Sequence, residues 1–205
     1  MRTLYSAMLI CSSMPLVAQG AIDFNAGLAN DYVFRGYSFA ETGVVVQASV
    51  DAEFDSGIYT GLWVTNTVKP GGELNLYLGY SASIFEALDI NVNYVRYQYP
   101  STQDETAGSD EFSIGVSYSN ISFIVHHDTT MNTQYIESIF YNDISDTMSL
   151  TLHAGKVIKG ENHISDYSAQ MDYKLSESVT VFVMGTKTSD KTEGTHIVIG
   201  VNYSL

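Results

Sequence analysis

From Ile22 to Leu205 one pattern dominates the chain: apolar and polar residues alternate, with no sustained 3.6-residue period. Successive side chains of a strand point to opposite faces, so such a run builds a sheet with one apolar and one polar face. Val44, Val46, Ala48, Val50, Ala52 and Phe54 share one side, against Gln47, Ser49, Asp51 and Glu53. Leu74, Leu76, Leu78 and Tyr80 oppose Asn75, Tyr77, Gly79 and Ser81, and Leu88, Ile90, Val92 and Tyr94 oppose Asp89, Asn91 and Asn93. The same holds for Phe112, Ile114, Val116 and Tyr118 against Glu111, Ser113, Gly115 and Ser117, and for Tyr167, Ala169, Met171 and Tyr173 against Asp166, Ser168, Gln170 and Asp172. Ile197, Ile199, Val201, Tyr203 and Leu205 oppose His196, Gly200, Asn202 and Ser204. Weaker runs lie near 22–35, 58–66, 121–127, 135–141, 148–155 and 179–186, which brings the expectation to about twelve strands.

Alternation alone suits a soluble sandwich or a lipocalin-like barrel as well as a membrane barrel. The content of the two faces separates them. The polar face is rich in Asp, Glu, Asn, Gly and Ser, while the apolar faces carry almost no charge; Lys69, Lys156, Lys159 and Lys191 are assigned to loops. A polar inside and an apolar outside belong to a barrel whose solvent is lipid. The order of loop lengths agrees. Long connections such as "GYSFAETG", "QYPSTQDETAGSD", "DTTMNTQ" and "KVIKGENHIS" alternate with short ones such as "DSG", "SN" and "LSES". Phe54, Tyr80, Tyr118, Tyr141, Tyr173 and Tyr203 fall near the short-turn ends of the even strands, as an interfacial girdle would; Glu137 shares the parity of Tyr141 and leaves that strand ambiguous. The expected fold class is all-β: a transmembrane antiparallel up-and-down β-barrel occupying residues 21–205.

Residues 1–20 read as a cleaved signal peptide: Arg2 supplies the charge, Leu4–Val17 the apolar stretch, and "AQG" the small residues before the cut. Cys11, the single cysteine, leaves with it, so no disulfide framework holds the rest. Removing Arg2 also leaves eight basic residues against 23 acidic ones, a net charge of −15 where the full chain has −14. Such a chain is a poor ligand for nucleic acid, whose affinity comes from neutralising phosphates.

The ordered motifs "NDYVFRGYS", "SGIYTGLWVTN", "ELNLYLGY" and "YQYP", densest over residues 23–100, resemble the TorF-like porin family of Gram-negative bacteria; "HAGK" and "SDY" fit further on. The resemblance implies a small outer-membrane barrel that passes small solutes, with no cofactor and no named substrate. Its partners would be outer-membrane lipids and, through "GVNYSL", the barrel-assembly machinery; Leu205 departs from the Phe usual at that terminus.

In "NDYVFRGYS" read as a strand, Tyr32 and Phe34 face lipid while Asp31 and Arg35 face the lumen. A guanidinium in a narrow acid-lined lumen seeks a carboxylate, and Asp31, Asp51, Glu53 and Glu111 are the candidates. With Asn75, Tyr77 and Asp89 these form the expected pore lining. Arg35 either contributes a transverse field at a constriction or forms a salt bridge that fills the lumen and fixes register. The excess of inward acids favours cations or neutral solutes over anions. A plugged, structural or adhesive barrel is the alternative. A lipid-processing enzyme built on His126, His127 and Asp128 of "VHHDTT" is weaker, because neighbouring strand residues face opposite ways and no serine-centred motif accompanies them. His126, His153, His163 and His196 lack the spacing of a metal site.

Overall fold

The computed structural model describes residues 21–40, 43–66, 71–85, 88–100, 108–159 and 162–205. The chain forms β1 (Ala21–Ala29), a small hairpin of β2 (Val33–Phe34) and β3 (Tyr37–Ser38), then β4 (Val45–Glu53), β5 (Ile58–Thr65), β6 (Glu73–Phe85) and β7 (Leu88–Gln98). There follow β8 (Gly108–Tyr118), β9 (Ile121–Asp128), β10 (Thr133–Asp143), β11 (Met148–Lys159), β12 (Asn162–Lys174), β13 (Val179–Thr188) and β14 (Thr195–Ser204). Apart from β2 and β3, each strand pairs antiparallel with its neighbours, and β1 pairs with both β4 and β14 to close a barrel of twelve strands. At the seam the Leu205 amide donates to the Phe24 carbonyl at 3.0 Å. Closure matters energetically, since it leaves no unpaired strand edge.

The alternation becomes two surfaces. Val46, Leu76, Leu78, Ile114, Ile197 and Ile199 stand exposed on the outside, while Gln47, Asn75, Glu111 and Asp166 are buried within. Phe54, Tyr80, Tyr118, Tyr173 and Tyr203 are exposed at the short-turn end of this apolar band. Tyr141 is not among them. It shares the inward parity of buried Tyr135, Glu137 and Ile139, because a period-two strand cannot place Glu137 inside and Tyr141 outside. Inside, large rings lie on glycines of adjacent strands: Tyr77 covers Gly61, and Tyr59 covers Gly79, where any Cβ would collide with the ring.

Two connections expected to be long are short. Thr129–Asn132 alone join β9 to β10, and β11 and β12 continue pairing up to Lys159 and Asn162, so only 160–161 separate them. Lys156 and Lys159 therefore sit in a strand rather than a loop, because the backbone ladder with β12 continues through both. The connection at 101–107 and Lys69 fall outside the described residues.

Candidate functional site: a hairpin inside the barrel

β1 ends at Ala29, short of the expected Arg35, and the chain then turns into the lumen. Arg35 and Gly36 have φ of 51° and 84° between the paired residues Phe34 and Tyr37. Two successive positive φ angles make a primed two-residue hairpin turn, and a glycine at the second position carries no steric cost there. The base is closed by Asp31, whose carboxylate accepts from the Tyr32 amide and the Ser38 hydroxyl, each at 2.7 Å. The Phe39 amide donates to the Tyr32 carbonyl at 2.8 Å.

Tyr32 and Val33 are buried in a core inside the barrel with Val45, Trp63, Phe182, Met184 and Val198, and Phe34 packs against it. This overturns the assignment of Tyr32 and Phe34 to the lipid face. At this level the inward residues of β4, β5, β13 and β14 are apolar, so the lumen itself offers the hairpin a dry wall. Burying a side chain the size of Val33 contributes about 1.5–3 kcal/mol. The Tyr32 and Trp63 rings lie 5.6 Å apart.

From that wall the turn reaches across to the polar one. Arg35 Nη2 donates to Glu111 Oε1 at 2.9 Å and Oε2 at 2.8 Å. Its guanidinium carbon sits 4.2 Å from the centre of the Tyr135 ring and 4.6 Å from that of Phe34. A Cβ on Gly36 would come within 2.8 Å of the Cβ atoms of Asp166 and Thr188. The tip thus touches β8, β10, β12 and β13.

Behind Glu111 a buried chain of acids and imidazoles continues around the wall. His126 Nδ1 lies 3.1 Å from Glu111 Oε1 and its Nε2 2.9 Å from Glu137 Oε1. His153 Nε2 lies 3.0 Å from Glu137 Oε2 and 3.0 Å from the Tyr135 hydroxyl, which donates to Asp166 at 3.1 Å. Both contacts of His126 are hydrogen bonds at once only when one extra proton is shared among Glu111, His126 and Glu137, because a carboxylate only accepts. Three carboxylates thus face one guanidinium and two imidazoles. At the loop-end rim the Tyr37 hydroxyl donates to Asp190 Oδ2 at 2.8 Å. Burial and this carboxylate push the Tyr37 phenol up to about 12. The Thr192 amide and hydroxyl, followed by Tyr37, hold Asp190 below the usual carboxylate range.

Of the expected pore lining, Arg35 and Glu111 meet. Asp31 serves the hairpin base, and Asp51 accepts from Ser49 at 2.7 Å and Asn25 at 3.1 Å. Glu53 faces inward near the short-turn mouth, where Asp89 accepts from Ser83. Asn75, fully buried, donates to Glu73 at 2.8 Å. The stretch "VHHDTT" disperses: His126 enters the lumen, His127 faces outward, and Asp128 accepts from Ser109 and from the amides of Thr130 and Met131. Ser109 is therefore committed to Asp128, and both nitrogens of His126 to carboxylates. His163 is exposed and His196 lies 3.2 Å from Glu193. The expected pore lining left out Tyr97, Tyr135, Glu137, His153 and Asp166, although the sequence had put Asp166 on a polar face and His153 among the histidines weighed for a metal. Their inward parity was readable; their common level was not.

The barrel is similar to that of the KdgM porin in complex with disordered oligogalacturonate (TM-score 0.65, 10% identity, 90% of this chain and 98% of that one). It is similar also to the NanC porin (TM-score 0.60, 8% identity, 90% and 100%). A third is the COG4313 outer membrane channel from Pseudomonas putida F1 (TM-score 0.58, 7% identity, 93% and 96%). At these identities the likeness is one of fold. No curated protein matches the sequence. Residues 18–195 match the family described as "Bacterial protein of unknown function (Gcw_chp)", and the chain belongs to that family.

Proposed function

We propose that the chain is a porin-like channel of the outer membrane, passing small solutes through a lumen narrowed by the β2–β3 hairpin. The observation that carries the proposal is a closed barrel with an apolar outside and an acid-lined inside, whose one described lumenal guanidinium is occupied by Glu111. The twelve-strand fold shared with porins and the resemblance to TorF-like porins support it. In this reading residues 1–20 are removed on export, the C-terminal strand is presented to the barrel-assembly machinery, and the longer loops lie outside.

The solute preference follows from charge. Arg35 is neutralised, whereas Asp23, Asp51, Glu53, Asp89 and Asp172 project inward toward the short-turn mouth. A lumen of this sign favours cations and neutral solutes and disfavours an acidic oligosaccharide of the kind named with KdgM. The mature chain, refolded and reconstituted in a planar bilayer under a KCl gradient, should give discrete conductance steps with a cation-directed reversal potential. A folded barrel that stays silent would favour the second reading, a structural barrel sealed by its hairpin, which the reach of the tip from Trp63 to Glu111 and Asp166 supports.

A further inference from the structure

The outer surface is asymmetric in charge. Among the described residues the outward-facing strand positions of its short-turn half carry no charged side chain, only apolar residues, a few small polar ones and the aromatic girdle. The loop-end half holds Arg96, Lys156 and Lys187. Arg96 is bound to Asp110 at 2.8 Å. Lys156 and Lys187 are exposed, and neither has an acidic partner among the described residues.

The two lysines flank one strand. Lys156 on β11 pairs in register with Ser165 of β12, and Lys187 on β13 with Tyr167 of β12. Strand spacing of about 4.8 Å and a rise of about 3.4 Å per residue put their Cα atoms roughly 12 Å apart. Side chains of this length span that gap from both sides. Between them the outward side of β12 presents Ser165 and exposed Tyr167, with exposed His163 one outward position further toward the loop end.

Their height is informative. Tyr173, in the girdle, marks the lower boundary of the apolar band on β12. With a tilt of about 40°, the Tyr167 and Ser165 levels stand roughly 16 and 21 Å above it, within a band about 25 Å tall. An ammonium leaving these positions upward on its aliphatic stem arrives at the upper boundary. A lysine on a lipid-facing strand is strongly disfavoured at the midplane and costs close to nothing at the interface. In a chain this acidic, unpaired cations gathered at one boundary match anions of the leaflet on that side.

From this we infer that the outward face of β11–β12–β13 is a binding surface for a phosphorylated lipid headgroup of the outer leaflet, with Lys156 and Lys187 holding the phosphate and Tyr167 and Ser165 beside it. The inference rests on the proposed membrane-spanning orientation. The acyl chains would lie along the apolar surface below the lysines, which gives the site both parts of an amphipathic ligand.

The test is native mass spectrometry of the full mature chain in detergent, titrated with bisphosphorylated lipid A, its dephosphorylated form, or inorganic phosphate. The wild type should retain bisphosphorylated lipid A and bind it at least tenfold more tightly than the dephosphorylated lipid. Lys156→Gln with Lys187→Gln should weaken it by about ten- to thirtyfold, and Lys156→Arg with Lys187→Arg should restore it. Lys174→Gln, at the short-turn end, should change nothing. Undiminished binding by the double Gln variant, equal binding of the dephosphorylated lipid, or equally tight binding of inorganic phosphate would overturn the assignment. Fold is read separately from heat-modifiable migration, and membrane insertion from flotation with vesicles. A chain that folds but does not float defeats the membrane reading itself, whereas one that floats but ignores the phosphates defeats only this surface.

Discussion

The guanidinium of Arg35 meets both carboxylate oxygens of Glu111, at 2.9 and 2.8 Å, across 76 positions of sequence. The pair joins a hairpin seated on one wall of the barrel to a polar network on the other. Its side chains are mostly removed from water, so losing either partner strands a charge. That geometry yields distinct expectations.

Arg35→Ala leaves Glu111 with His126 and Tyr97 but without its guanidinium. Removing one member of a buried pair costs about 3–5 kcal/mol, so the variant should lose heat-resistant migration at a lower temperature than the wild type. If Arg35 also shapes permeation, conductance should rise and the reversal potential should move further toward cations. A folded variant with unchanged selectivity would assign Arg35 to structure alone.

Gly36→Val tests whether the hairpin occupies the lumen in working protein. The added Cβ would press on Asp166 and Thr188, and φ of +84° is unfavourable for a β-branched residue. Displacement of the tip should increase single-channel conductance at a cost of about 1–3 kcal/mol. The same conductance in a well-folded variant would mean that ions pass elsewhere.

Glu137→Gln removes the carboxylate shared by His126 and His153. Both imidazoles then lose a charged acceptor in a buried setting, and a destabilisation of about 3 kcal/mol or more is expected from thermal melts. His126→Gln with Glu137→Gln should cost less than the two single changes added together, because the residues act through one another. Additive losses would show that the network is not coupled.

The rim tether between Tyr37 and Asp190 has a pH signature. Asp190 is held below its ordinary range in the folded protein by the Thr192 amide and hydroxyl first and by Tyr37 after them, so the stabilisation of this rim cluster is present above that range and is lost as pH falls through the depressed value. Conductance noise from hairpin motion should therefore rise on acidification in the wild type. In Asp190→Asn it should be high at neutral pH and rise less on acidification.

How much of this was legible in the sequence differs between wall and lumen. The facing of Val46, Leu76, Glu111 and Ile199 follows from position parity, because side-chain alternation is a property of a single strand. Tyr141 was decided by the same rule once Glu137 was placed inside. Loop lengths were less legible. Lys156 and Lys159 look like loop residues by composition, yet the ladder of β11 and β12 continues through them.

The opening motif was misread because it was treated as the continuation of β1. Its turn is Arg-Gly rather than the commoner Asn-Gly, so local signals for a reversal were weak. Where Tyr32, Val33 and Phe34 go depends on Trp63, Phe182, Met184 and Val198, which come from other strands and meet only when the barrel closes. The sequence by itself therefore determined the strands of the barrel wall, their two faces and the sign of charge inside, but not the β2–β3 hairpin. The tertiary structure alone decided which inward residues share a level, and with that the joining of Arg35, Glu111, His126, Glu137 and His153. Parity repeats every two residues and is local; level depends on register and tilt accumulated over the whole closed sheet.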